Sequence, residues 1–193
     1  MNNSINKILT EIQRLEAQLQ EELHQQADKL RYQFNNGKLE FERGISERHK
    51  AFKVSVGRYI LNARWLVIVT SPAIYALIIP FVLLDIFVNL YQFICFPVYG
   101  IPKVRRNQYL VFDRTMLNYL NGIEKLNCVY CSYGNGIIAF TREVAARTEQ
   151  YWCPIKHAEA IPGKHDHYHK FTNFGDAKQY RESLKKIQQD FND

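Results

Sequence analysis

Apolar residues recur at Ile5, Ile8, Ile12, Leu15 and Leu19, then at Leu23, Ala27, Leu30 and Phe34. The steps are three and four, with one extra residue inserted between Leu19 and Leu23, and Glu, Gln, Arg and Lys flank the seam. This period predicts a long amphipathic helix over residues 4–35, a coiled coil that makes a homo-oligomer or receives a partner helix. Asn36-Gly37 breaks the pattern, and a shorter helical stretch is expected to resume around Leu39. Over residues 51–64 apolar positions alternate with Lys53, Arg58 and Arg64, the pattern of a basic amphipathic helix on a membrane surface.

Residues 65–99 are apolar, with Asp85 as the only charge. A membrane crossing needs about 20 such residues, so a single span fits. A helical hairpin bending near Pro80 is the other geometry, with arms of roughly 22 Å that re-enter without crossing. Asp85, Asn89 and Gln92 share one helical face and are read as pointing at headgroups or a partner helix. A functional intramembrane carboxylate is the sharper alternative. Beyond Pro102 the pattern predicts an amphipathic helix over residues 111–126 with Leu117, Leu120 and Ile123 inward. A cysteine knuckle, a turn at Tyr133-Gly134-Asn135-Gly136 and a helix over residues 137–152 are expected next. Pro154 ends that helix or starts a new turn. A last helix over residues 178–192 sets Tyr180, Leu184, Ile187 and Phe191 on one face. The fold class is mainly α, in three parts: a coiled-coil helix (1–47), a basic lead-in with the membrane segment (48–102) and a small α-rich metal-binding domain (103–193).

Charge refines this picture. The net charge is +6, but residues 48–64 carry five basic residues and no acid, directly before the apolar segment. Lys103, Arg105 and Arg106 follow it. Basic flanks on both sides favour membrane lipid as the partner and place both flanks in the cytoplasm. No nucleic-acid recognition motif accompanies the charge, so nucleic acid is not expected as a partner. The first forty residues are polar, and no secretory signal is expected.

The candidate chemistry is Cys128-x-x-Cys131 followed, after twenty-one residues, by Cys153-x-x-x-His157. Three thiolates and an imidazole are the ligand set of a closed tetrahedral site, with structural Zn2+ the first expectation. Iron or an iron–sulfur cluster is the alternative, because Cys153-Pro154 has the form of a cluster-binding cysteine before proline. The C-x-x-x-H ending resembles that of the NEET-type iron–sulfur proteins, which use C-x-C where this chain has C-x-x-C. A metal-free thiol pair would leave Cys153 and His157 unexplained. Three unpaired cysteines suit a reducing compartment. His165, His167 and His169 alternate and, with Asp166, are a weaker candidate for a second site; a solvated loop is the plainer reading. Glu143 and Arg147, four apart, are expected to pair on a helix surface.

The run Cys128-Val-Tyr-Cys-Ser-Tyr-Gly-Asn-Gly, with Ala145-Ala-Arg-Thr-Glu-Gln-Tyr-Trp-Cys-Pro-Ile-Lys-His157, resembles a signature of a family of uncharacterised bacterial membrane-associated proteins. The resemblance covers residues 120–176 and implies a bacterial source and a motif that acts as one unit, but no activity. Two functions follow as expectations. One is a scaffold or adaptor anchored in the cell inner membrane, its cytoplasmic domain folded by zinc and its coiled coil recruiting partners. The other is a membrane-associated metalloenzyme or iron–sulfur redox protein using the same four ligands.

Overall fold

The computed structural model describes residues 3–29, 32–35, 38–41 and 45–191. The described chain is mainly helical and divides into two compact units, Met1–Asn62 with Asp113–Lys125, and Ala63–Phe112 with Leu126–Asp193. The apolar segment and most of the residues after it therefore share one unit, where the sequence pattern had separated them at residue 102.

In the first unit, α1 (Asn3–Lys29) carries the heptad seam, and Ile8, Ile12, Leu15, Leu19 and Leu23 are all exposed. The helix stops short of residue 35. Strands β1 (Tyr32–Asn35) and β2 (Lys38–Phe41) pair antiparallel instead, Tyr32 opposite Phe41 and Asn35 opposite Lys38. The helical stretch expected around Leu39 is thus a strand. Tyr-Gln-Phe-Asn and Lys-Leu-Glu-Phe alternate apolar and polar residues with period two, which overrides the helical reading of so short a run. Leu30 and the Asn36-Gly37 break lie outside the described residues. The helix expected over residues 51–64 is shorter, α3 (Val56–Asn62), and a separate helix, α2 (Ile45–Ala51), ends where it was to begin. Ser55 starts α3, its Oγ accepting from the Arg58 amide at 3.4 Å and its carbonyl from the Tyr59 amide.

The helix expected over residues 111–126 is reduced to a 3-10 turn at Asp113–Met116. Asn121 then opens α6 (Gly122–Trp152). Its side-chain oxygen accepts from the amides of Ile123 (3.0 Å) and Glu124 (3.1 Å), and the Glu124 carboxylate accepts from the Asn121 amide at 2.8 Å. This reciprocal cap satisfies three donors that a helix start leaves open. From there the helix runs unbroken through the expected knuckle and the expected Gly134/Gly136 turn, and both expectations are corrected. A Cβ at Gly134 would stand 2.8 Å from the Phe81 ring, and one at Gly136 2.6 Å from the Tyr109 carbonyl oxygen. These glycines admit a close neighbour; they do not bend the chain.

In the second unit, α4 (Trp65–Ala76) and α5 (Ile78–Tyr99) are separated by Leu77 alone. Leu77 keeps right-handed helical dihedrals, φ −63° and ψ −13°, so the chain continues as one apolar rod over Trp65–Tyr99. The hairpin alternative is corrected: Pro80 falls in the first turn of α5, where its missing N–H costs little, and no reversal occurs. Gly100, at φ 70°, ends α5, with its amide on the Pro97 carbonyl and the Ile101 amide on the Phe96 carbonyl. That is a Schellman cap, and Phe96 and Ile101 pack together in the core. The core joins Phe96, Ile101, Val104, Phe140 and Val144, from α5, the returning segment and α6. Trp152 ends α6 ahead of Pro154, as expected, and α7 (Ala177–Gln189) is the last helix, its Ile187 buried. Gln150, fully buried, donates to the Ile187 carbonyl at 2.8 Å and fixes α7 to α6.

Candidate functional site

The polar face of α5 turns inward. Asp85 accepts from Arg106 through both oxygens, at 2.9 Å from Nε and 2.6 Å from Nη2, and from the Tyr133 hydroxyl at 2.9 Å. Asn89 donates to the Asp85 carboxylate and to its carbonyl, each at 2.7 Å. The Gln92 side-chain oxygen, one turn on, accepts from the Val104 amide at 2.6 Å. Residues 101–106 therefore fold back along α5, and each polar group on this face acquires a protein partner. Asp85, Asn89 and Gln92 share one face as their spacing predicts, but Asp85 and Gln92 meet Arg106, Tyr133 and Val104 of the same chain in place of headgroups or a partner helix, and no local spacing signals Arg106 or Tyr133.

The α6 helix runs beside the rod in the same direction. The Tyr75 hydroxyl bonds Asn127, the Tyr130 hydroxyl donates to the Ile74 carbonyl at 2.6 Å, and Tyr91 bonds Thr148 at 3.0 Å. Tyr99 stacks on Tyr151 with centroids 5.1 Å apart. With the inner face occupied, the outer face of α5 is an exposed apolar stripe: Ile79, Val82, Leu83, Ile86, Phe87, Leu90, Phe93, Ile94 and Val98. Buried residues are absent from α4, and Trp65 to Val69 are exposed all round. By length and composition the continuous rod Trp65–Tyr99 is sufficient to cross a membrane.

On another face of α6, Glu143 accepts from Arg147 at 2.7 Å, the expected i, i+4 pair, and meets His167 at 3.0 Å. The His167 contact, followed by Arg147, holds the Glu143 carboxyl down at about 2 against the opposing effect of burial. His165 meets Glu149 at 3.1 Å. His169 turns away to the Asp166 carbonyl and is exposed. His167 and His169 lie on a 3-10 turn, Asp166–Lys170, with His165 just before it, so the three do not face one way as an extended segment would have set them. Two bind different carboxylates of α6, which ties this turn to the helix.

The cysteines are spread along α6. Cys128 and Cys131 are three apart in its first half, while Cys153 follows its last residue. At 1.5 Å per residue, Cys131 and Cys153 stand about 33 Å apart along the axis. Cys153 and His157 are not separated by a helical turn either, because Ile155 bridges to Thr172 in extended form. The His157 amide donates to the Tyr168 hydroxyl at 2.7 Å and its ring stacks on Tyr168. The structure thus does not bring Cys128 and Cys131 together with Cys153 and His157. Among the described residues no group of three or more His, Cys, Asp or Glu is arranged to hold a metal ion. Burial, and then the Glu149 charge, push the Cys153 thiol up, opposite to an activated thiolate.

Comparison with protein-family models, curated proteins and solved structures yields no match to this chain. The surface that remains distinctive is the outer face of the α4–α5 rod.

Proposed function

We propose that the protein is a membrane-anchored scaffold or adaptor, attached to lipid through Trp65–Tyr99 and self-associating through the seam of α1. The observation that carries the anchor is the division of α5 into two faces. The polar groups of its inner face, Asp85, Asn89 and Gln92, have hydrogen-bonded partners, whereas its outer face exposes nine large apolar side chains in one stripe. A soluble protein rarely leaves so long a contiguous apolar surface open. Basic residues at Arg64, Lys103 and Arg105 flank the rod and match anionic headgroups. Self-association is supported by the exposed seam at Ile8, Ile12, Leu15, Leu19 and Leu23, spaced for a second copy of the same helix. Zinc has no part in this reading, because Cys128 and Cys131 lie in the first half of α6 and Cys153 and His157 lie beyond its last residue. The iron–sulfur and metalloenzyme alternative relies on the same four residues.

Flotation of the full-length protein with phosphatidylglycerol-containing vesicles tests the anchor. Co-flotation that survives high salt and alkaline carbonate is expected; protein left at the bottom of the gradient would end the proposal. For the second part, multi-angle light scattering in mild detergent should give a multiple of 22.8 kDa that collapses to one copy in Leu15→Lys/Leu19→Lys. A wild-type monomer over a wide concentration range would remove self-association.

A further inference from the structure

We infer that Trp65–Tyr99 rests in one leaflet of an anionic bilayer without crossing it, so that the chain on both sides of it meets the same aqueous compartment. The inference builds on the membrane attachment proposed above and adds its geometry.

Hydropathy alone permits a crossing; the packing does not. Asp85 sits near the middle of the rod, and its partner Arg106 has a side chain 43% exposed. In a spanning rod that guanidinium would face hydrocarbon at mid-depth, where exposed charge is costly. Against a leaflet surface it faces water. The same holds for α6, which accompanies the rod from Ile74 to Tyr99 and carries Arg142, Glu143, Arg147 and Glu149 beside its second half. A helix with these charges has no place in the bilayer core.

What the packing leaves open fits an in-plane helix. The stripe from Ile79 to Val98 follows i, i+3, i+4, i+7 along the whole of α5, so a helix lying flat buries all of it at once. Lys103 holds its ammonium 4.7 Å over the Phe93 ring, a cation at the border of the stripe and at headgroup level. Arg64, exposed beside the start of the rod, and Arg105, exposed on the segment that returns along it, supply the same charge. Anionic phospholipid is the partner this arrangement fits.

Depth-dependent quenching decides between the two geometries. In the Trp65→Phe/Trp152→Phe full-length protein, single tryptophans replace Leu83, Phe87, Phe93 or Val98, all outward-facing and exposed. Each variant is bound to phosphatidylglycerol vesicles with lipids brominated at shallow or deep acyl positions. All four are expected at similar, shallow depth. A profile deepest at residue 83 that shallows steadily towards residue 98 would overturn the inference while leaving attachment intact. Absence of quenching together with failed flotation would instead remove the attachment. As a second measurement independent of these variants, external protease on sealed vesicles should cut wild-type protein both before residue 64 and within residues 103–112; cleavage on one side only counts for a crossing.

Discussion

Arg106 reaches back to Asp85 and takes both carboxylate oxygens, with a sequence separation of 21 residues between them. The pair pins the returning segment against the middle of α5, and Tyr133 adds a contact from α6. Asp85 is 12% exposed and Arg106 43%, so the two changes are not equivalent. Removing Arg106 leaves a mostly buried carboxylate with only Tyr133 and Asn89. Arg106→Gln is expected to destabilise by about 1–3 kcal/mol in mild detergent, with Arg106→Lys in between, because a point charge replaces a two-pronged fork. Denaturant unfolding measures this. A double-mutant cycle with Asp85→Asn should give coupling near 1 kcal/mol or above, and strict additivity would show that the pair contributes nothing to stability.

Gly136 lies within a helix, where alanine is ordinarily the better residue. Here an added Cβ would meet the Tyr109 carbonyl oxygen at 2.6 Å, a backbone atom with little freedom to move. Gly136→Ala should therefore destabilise by about 1–3 kcal/mol despite the propensity gain. Gly57, in α3, has open space around it, and Gly57→Ala should be neutral or stabilising by up to about 1 kcal/mol. Opposite signs for the two substitutions in thermal unfolding are the expected result; equal small gains would mean that α6 does not approach residue 109 closely.

The sequence was legible where a period ran long. The α1 seam, the apolar rod, the polar triad of α5 and the last helix all follow from spacing alone. Two kinds of information were hidden. The first was local but outweighed: Asn121 and Glu124 form a capping pair visible in the sequence, yet Gly134, Asn135 and Gly136 read more loudly as a turn. Only the neighbours of Gly134 and Gly136 reveal that these residues serve close packing. The second was tertiary. Nothing in local spacing pairs residue 85 with residue 106, or residue 143 with residue 167. The Cys128–His157 pattern was persuasive because ligand spacing assumes a loop between pairs of ligands. Once that interval becomes helix, the same spacing separates them.

The Glu143 carboxyl, held at about 2 by His167 first and Arg147 next, makes one contribution to stability acid-sensitive. Its ordinary value is 4.5, so folding favours the ionised form. The contribution is whole above pH 4.5 and is lost as pH falls from there through about 2, where the folded protein too takes up the proton. Glu143→Gln should lower stability at neutral pH and flatten the dependence of unfolding free energy on pH across that window. An unchanged slope in the variant would assign the acid limb to other carboxylates.

The separation of the thiols is testable without any metal. Cys131 and Cys153 are both exposed, so oxidant can reach each, but a disulfide requires Cα atoms within about 7 Å and the helix between them holds them about 33 Å apart. Copper-phenanthroline oxidation of the folded protein at low concentration should give no intramolecular Cys131–Cys153 link by peptide mapping. The same treatment in denaturant should give it, because the intervening chain is then free to close. Alkylation kinetics supply the complementary reading: with its thiol pushed up by burial and by Glu149, Cys153 should react more slowly than Cys131 at neutral pH. Glu149→Gln should speed it. A Cys131–Cys153 disulfide formed in the folded state would show that α6 is interrupted between them, and would return the four-ligand arrangement of Cys128, Cys131, Cys153 and His157 to consideration.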